Sequence, residues 1–224
     1  MPDLLSHSDL RDAVPAALRR AIRQGRYASQ TAGLANGRLQ CNLAILPESS
    51  ALDFLRFCQR NPKPCPVVGV GETGDPILAT LGADIDIRSD VPRYRVFRDG
   101  VLAEERTDIA DLWQDDFVAV ALGCSFTFER ALIAAGIPVR HIDEGRTVPM
   151  YASTLRLTPA GPFGGTMVVT MRPIPAADVS RACIVSARYP LAHGGPVHVG
   201  DPAAIGIADL ARPDWGEAVT VNPG

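Results

Sequence analysis

Six successive apolar residues, Phe117 to Leu122, run into Gly123-Cys124-Ser125 and then into a segment from about Phe126 to Ala135 that Gly136 closes. A short apolar run ending in a glycine turn reads as a buried strand, and the longer segment stopped by glycine reads as a helix. A strand that feeds a helix through a tight turn is the building unit of layered α/β proteins. Pro138 to Ile142 reads as the next strand of that unit. The same alternation occurs earlier. Residues 39–46 are a strand candidate, and Ser50 opens a helix with Asp53 placed as in a capping box. Asn61-Pro62 stops that helix, and residues 66–70 form another short buried strand. Upstream, Leu10, Val14, Leu18 and Ile22 recur at four-residue steps, which predicts an amphipathic helix over residues 8–23. Asp99-Gly100 turns a hairpin over residues 95–104.

After Val148 the pattern changes. Residues 153–158, 166–171, 181–187, 197–199 and 218–221 all read as strands with few helices between them. The expected fold class is therefore α/β: a layered lobe with a mixed sheet over residues 1–147, and a smaller strand-rich α+β lobe over residues 148–224.

Composition narrows the function. A net charge of -3 argues against a protein built to bind a phosphate backbone. No apolar run reaches the roughly 18 residues a membrane span needs, and the first 25 residues lack the apolar core of a signal peptide. The five cysteines, Cys41, Cys58, Cys65, Cys124 and Cys183, are odd in number with no CxxC pair, which fits a reducing compartment. The cytoplasm is the expected location. Lys63 is the only lysine among 22 basic residues, and arginine suits two-point recognition of carboxylates.

Several segments carry candidate chemistry. Gly69 to Gly74 matches GxGxxG after a strand, but only about two helical turns have room to follow it, so it reads as a plain glycine turn. At Gly123-Cys124-Ser125-Phe126, a strand-to-helix turn points free N–H groups and the positive end of the helix dipole at whatever sits above the sheet. Glu129 lies one turn on, and Cys124 is placed where a thiolate is favoured. The plainer reading of the same residues, a buried cysteine, an N-cap serine and a solvated glutamate, stays open beside it. His193 to Pro202 holds two of the four histidines, His193 and His198, in a glycine-rich loop. With Asp201 they could hold a metal, but their irregular spacing favours an acid/base pair. Arg172, at a strand end, could hold a carboxylate or make a surface salt bridge. Gln40 and Asn42 share one strand face.

These words occur in order: Gln40-Cys41-Asn42-Leu43, Asn61 to Pro66, Ala83-Asp84-Ile85, Asp90 to Tyr94, Gly123 to Phe126 with Phe128-Glu129, Val148 to Tyr151, Met171-Arg172-Pro173 and the His193–Pro202 loop. Together they resemble the D-glutamate cyclase family, whose members are also called hydro-lyases, across nearly the whole chain. The resemblance implies a cofactor-independent enzyme that interconverts D-glutamate with 5-oxo-D-proline and water, acting on a small carboxylate or amino acid. That chemistry needs a base for the ammonium, donors for an oxyanion and a clamp for the free carboxylate. The roles follow from the chemistry and motif positions. Arg172 clamps a carboxylate. The N–H groups of Cys124 to Phe126, with the Ser125 hydroxyl, face the reacting carboxyl. His193 or His198, with Glu129, moves protons, and Asn42 and Tyr151 orient the substrate. Family members usually run on past the equivalent of Asn222-Pro223-Gly224 into a further strand, so that segment is expected to be missing. Three alternatives remain: another small-carboxylate hydro-lyase, a non-catalytic binding or regulatory protein, and a metal held by the two loop histidines.

Overall fold

A computed structural model describes residues 3–221. Asn222-Pro223-Gly224, where the family's further segment would attach, lie outside the described residues. The chain forms two compact units that interleave in sequence. Among the described residues, the first comprises 3–38, 42–51 and 68–122, and the second comprises 39–41, 52–67 and 123–221.

Helices and strands are mixed throughout, as in an α/β protein. In the first unit, the predicted helix over residues 8–23 is broken in two. A 3-10 turn covers Ser8–Leu10 and α1 covers Pro15–Arg23. Pro15 has no N–H to donate and its fixed φ suits the first helical position, so the helix starts there and Val14 is left extended and exposed. Leu10, Leu18 and Ile22 still meet in one apolar cluster with Tyr27 and Leu34.

Three strands, β1 (Cys41–Pro47), β2 (Val67–Val70) and β5 (Phe117–Gly123), hydrogen-bond in the order β1-β5-β2. β5 is the middle strand, and Ala119, Val120 and Ala121 are wholly buried along it. Leu78, Ile87, Ala119 and Ala121 form a core cluster in the first unit. The helix α2 (Glu48–Arg60) begins directly after β1, ahead of the expected start at Ser50. Glu48 N–H donates to Asp116 O at 2.8 Å, and Asp53 pairs with Arg56 instead of closing a capping box. After β2, Gly74 takes φ 78°, and a Cβ there would sit 2.7 Å from the Asp115 carbonyl oxygen.

Strands β3 (Tyr94–Arg98) and β4 (Val101–Arg106) form the antiparallel hairpin, turned by Asp99 and Gly100 at φ 50° and 78°. The Asp90 to Tyr94 motif is a staple within the first unit. Arg23 donates to both Asp90 oxygens at 2.7 Å, Arg19 pairs with Asp84, and the Tyr94 hydroxyl donates to Ile87 O at 2.6 Å.

The second unit carries α3 (Phe126–Ala134), α4 (Arg140–Asp143), β6 (Met150–Arg156), β7 (Thr166–Thr170) and α5 (Val179–Ala187). β6 and β7 pair antiparallel, with Tyr151 opposite Val169. Asn61 pins this unit from inside: its amide donates to Phe57 O and Thr158 O, and its oxygen accepts from Thr158 N–H.

Four predicted strands are corrected here. Residues 138–142 turn into α4 behind the buried Ile137 and Val139, so no βαβ unit forms. Residues 181–187 lie in α5, because Ala182, Val185 and Tyr189 share one face at helical spacing and pack on Phe128 and Leu132 of α3. Residues 197–199 and 218–221 form no strand; Val197 and Val199 are exposed, and Thr220 N–H is taken by the Glu144 carboxylate. Among the described residues no helix is long and apolar enough to cross a membrane.

Candidate active site

The site is built within the second unit, at the turn that leads into α3. Gly123 is required there by close approach: a Cβ would lie 1.6 Å from Leu191 O, in the 3-10 turn Pro190–Ala192. Gly123 N–H donates to Pro66 O and Cys124 N–H to Gln40 O, which fixes the turn. Ser125 then takes a helical conformation without capping the helix through its side chain. Its buried hydroxyl instead accepts from Arg172 Nη2 at 3.0 Å. The N-cap reading of Ser125 is therefore replaced by a tertiary contact.

Glu129, one turn into α3, is almost wholly buried and not solvated. Oε1 accepts from Arg172 Nη2 at 2.5 Å, and His141 Nε2 of α4 lies 3.0 Å from the same oxygen, too oblique for a well-formed hydrogen bond. Burial alone would raise the Glu129 carboxyl. His141 and the charge of Arg172 outweigh it and hold the group below its usual range, so it is ionised. Arg172 follows β7; its Nη1 donates to Thr170 Oγ1 at 2.9 Å, and its guanidinium carbon stands 5.2 Å from the Phe128 ring centroid. A carboxylate, a guanidinium, a hydroxyl and an imidazole are thus gathered at the N-terminal end of one helix. Three of their buried polar atoms, Glu129 Oε2, His141 Nε2 and Arg172 Nε, have no hydrogen-bond partner. Buried polar groups without a partner are rare in folded proteins and concentrate the unmet hydrogen-bonding capacity of this unit at the cluster.

His193 lies on the loop that follows the Leu191 turn. It adopts φ 74°, a left-handed conformation rare outside glycine. Nδ1 is 2.9 Å from Lys63 O. A carbonyl can only accept, so Nδ1 carries the proton and Nε2 presents a lone pair when the ring is neutral. Burial pushes the imidazole below its ordinary value; the hydrogen bond to the Lys63 carbonyl offsets part of this, and the charges of Arg172 and Lys63 add to the depression.

The remaining predicted residues fall elsewhere. His198 is bound through Nε2 to Asp201 O at 2.7 Å within its own loop. Asp201 caps the 3-10 turn Pro202–Ile205 by accepting from Ala203 N–H. No group of three or more metal-ligating residues occurs among the described residues. Cys124 sits half-buried at the turn, while burial and the Cys124 neighbour push Cys41 up to about 11. Phe126 is the first residue of α3. Asn42 is exposed on β1 and belongs to the first unit. Tyr151 is a core residue packed with Ile205 and Ile207, and its hydroxyl already donates to Leu210 O at 2.7 Å. It also borders a cavity of about 350 Å³ lined by Asp209, Arg212 and Asp214.

Sequence reasoning missed His141. It stands outside any motif, in a segment expected to be a strand, and only its burial beside Glu129 marks it. That Lys63 is the single lysine was visible, but its contact with the histidine loop was not.

The D-glutamate cyclase family model matches residues 118–224. A protein of Jannaschia sp. (strain CCS1) named "Putative hydro-lyase" is 69% identical over 209 residues, spanning 93% of this chain and 79% of its own. One of the same name from Dinoroseobacter shibae is 63% identical over 209 residues, spanning 93% and 70%. A third, from Ruegeria pomeroyi, is 56% identical over 220 residues, spanning 98% and 80%.

Proposed function

Because the chain belongs to the D-glutamate cyclase family, we propose that it is a carbon–oxygen hydro-lyase that interconverts D-glutamate with 5-oxo-D-proline and water. The observation that carries this reading is the buried Ser125–Arg172–Glu129–His141 cluster at the start of α3, with a neutral imidazole, His193, in the same unit. It supplies hydrogen-bond donors, a cationic field and a base, the three needs of an amine attacking a carboxyl group.

In the forward direction the substrate ammonium gives one proton to Nε2 of His193. The freed amine forms a bond to the side-chain carboxyl carbon, and charge collects on the carboxyl oxygens. The first-turn N–H groups of Ser125 and Phe126 face that charge; Cys124 N–H does not, being held by Gln40. The Ser125 hydroxyl, which accepts from Arg172, is left free to donate its own proton to the oxyanion. Arg172 keeps Nε and one Nη1 proton for a carboxylate, and Glu129 serves as its counter-charge, since a carboxyl held ionised is a poor proton carrier. The carbon–oxygen bond then breaks. Both protons of the departing water come from the nitrogen, one of them by way of His193.

The test is proton NMR of the purified chain with D-glutamate and 5-oxo-D-proline in separate tubes, with the L-isomers as controls. Interconversion confined to the D-forms is the expected result, lost in Arg172→Ala and His193→Gln. Turnover of a small hydroxy acid with no action on either D-compound would overturn the substrate while keeping the hydro-lyase class.

A further inference from the structure

His193, the base assigned above, sits on a glycine-rich loop. His193, Gly194 and Gly195 follow one another, with φ 74° and 68° at the first two. A left-handed conformation is unfavourable for a non-glycine residue; the turn is closed locally by Gly194 N–H donating to Tyr189 O at 2.9 Å, and it is also held from outside. The outside hold comes from the side chain and the main chain of one residue. Lys63 O accepts from His193 Nδ1 at 2.9 Å, and Lys63 Nζ donates to Gly195 O at 2.5 Å. The two bonds leave the same residue and grip the loop on either side of Gly194, whose hypothetical Cβ would be 3.9 Å from Nζ. Lys63 is itself braced by the Asn61-Pro62-Lys63-Pro64 segment, in which Asn61 is locked to Phe57 and Thr158. A chain that uses arginine for every other cation keeps lysine here. A compact ammonium fits one carbonyl at the end of a straight stem, whereas a planar guanidinium needs a wider seat.

We propose that Lys63 is the positioning residue of this site: through its carbonyl it sets the His193 tautomer, and through its ammonium it holds the histidine loop in the left-handed turn. This rests on the reading of His193 as the base. The two halves of the clamp act together, because the ammonium on Gly195 O keeps the loop, and with it His193 Nδ1, against the Lys63 carbonyl. Any residue at 63 retains the carbonyl; only lysine supplies the ammonium. Loss of the ammonium frees Gly195 and also removes one of the two cations, Lys63 and Arg172, that face the imidazole. Both effects act on the base and neither touches the Arg172–Glu129 pair.

The experiment compares the full chain with Lys63→Met and Lys63→Arg. Long-range nitrogen–proton NMR of the imidazoles is followed from about pH 4 to 9, and His193→Gln assigns the resonance. Wild type is expected to show His193 as a single Nδ1–H tautomer titrating below the ordinary histidine range. In Lys63→Met the titration moves upward and the tautomers mix; in Lys63→Arg the charge remains and the titration stays low. With D-glutamate as substrate, Lys63→Met is expected to lose ~10–100-fold in kcat with KM little changed, and the acid limb of its pH–rate profile moves to higher pH. An unmoved His193 titration and tautomer in Lys63→Met overturns the proposal, whatever the kinetics. Unimpaired turnover in His193→Gln would instead overturn the reading of His193 as base, so the two failures are told apart.

Discussion

Replacing Glu129 by glutamine removes one negative charge and almost no volume, and its cost can be worked from the contacts. Glu129 is about 1% exposed and the Arg172 side chain 11%. The variant therefore leaves a guanidinium inside the protein with no counter-charge. Breaking a buried ion pair by removing one partner costs about 3–5 kcal/mol. The glutamine carbonyl can still accept from Arg172 Nη2, so the loss is expected near the lower bound, about 3 kcal/mol. For a protein of this size each kcal/mol shifts Tm by about 2–4 °C, which gives a fall of roughly 6–12 °C. Differential scanning calorimetry at neutral pH reads it directly. The decisive comparison is a double-mutant cycle with Arg172→Gln. Once Arg172 is neutral, Glu129→Gln no longer strands a charge, so the double variant is expected to lose at least about 1 kcal/mol less than the sum of the singles. Additive losses, or a Glu129→Gln Tm within about 2 °C of wild type, would refute the account of this cluster as a tightly coupled buried pair.

Three further outcomes follow from the same contacts. Gly123→Ala drives a Cβ into the Leu191 carbonyl, for an expected loss of about 4 kcal/mol or more. Gly136→Ala, which meets nothing within 4 Å but sits at φ 75°, costs only about 1–2 kcal/mol of backbone strain; chemical denaturation of the two variants, with equal losses, would refute the close approach. His193 has a folded pKa depressed below its ordinary 6.5, so the unfolded chain binds the proton more readily. Stability is then full above about pH 6.5 and falls as the pH drops through that value toward the folded pKa. His193→Gln should flatten that slope in a Tm-versus-pH series, and an unchanged slope would count against it. Burial pushes the Cys58 thiol up to about 12, and the side chain is almost wholly enclosed. A disulfide reagent at pH 8 should leave it unmodified until denaturant is added, as peptide mapping would show.

How much was legible in advance differed from one element to the next. The hairpin at residues 95–104 was readable because Asp99-Gly100 demands positive φ angles that few other pairs accept. β5 and α3 were readable because an apolar run, a glycine turn and a closing glycine are local signals. α5 was not. Arg181 to Ala187 has a strand-like composition, and only the face of α3 against which Ala182 and Val185 pack makes it a helix. The long helix expected over residues 8–23 failed for a local reason that the sequence did contain, namely Pro15.

By itself, then, the sequence determined the α/β mixture, the glycine turn before α3 and the ordered motifs that place the chain in its family, because each depends on neighbours within a few residues. Tertiary structure alone decided the site. Ser125 meets Arg172 across 47 residues of chain, and Lys63 meets His193 across 130. Contacts of that kind leave no periodicity in the sequence, and the charge state of Glu129 and His193 comes from burial and from partners that only folding brings together.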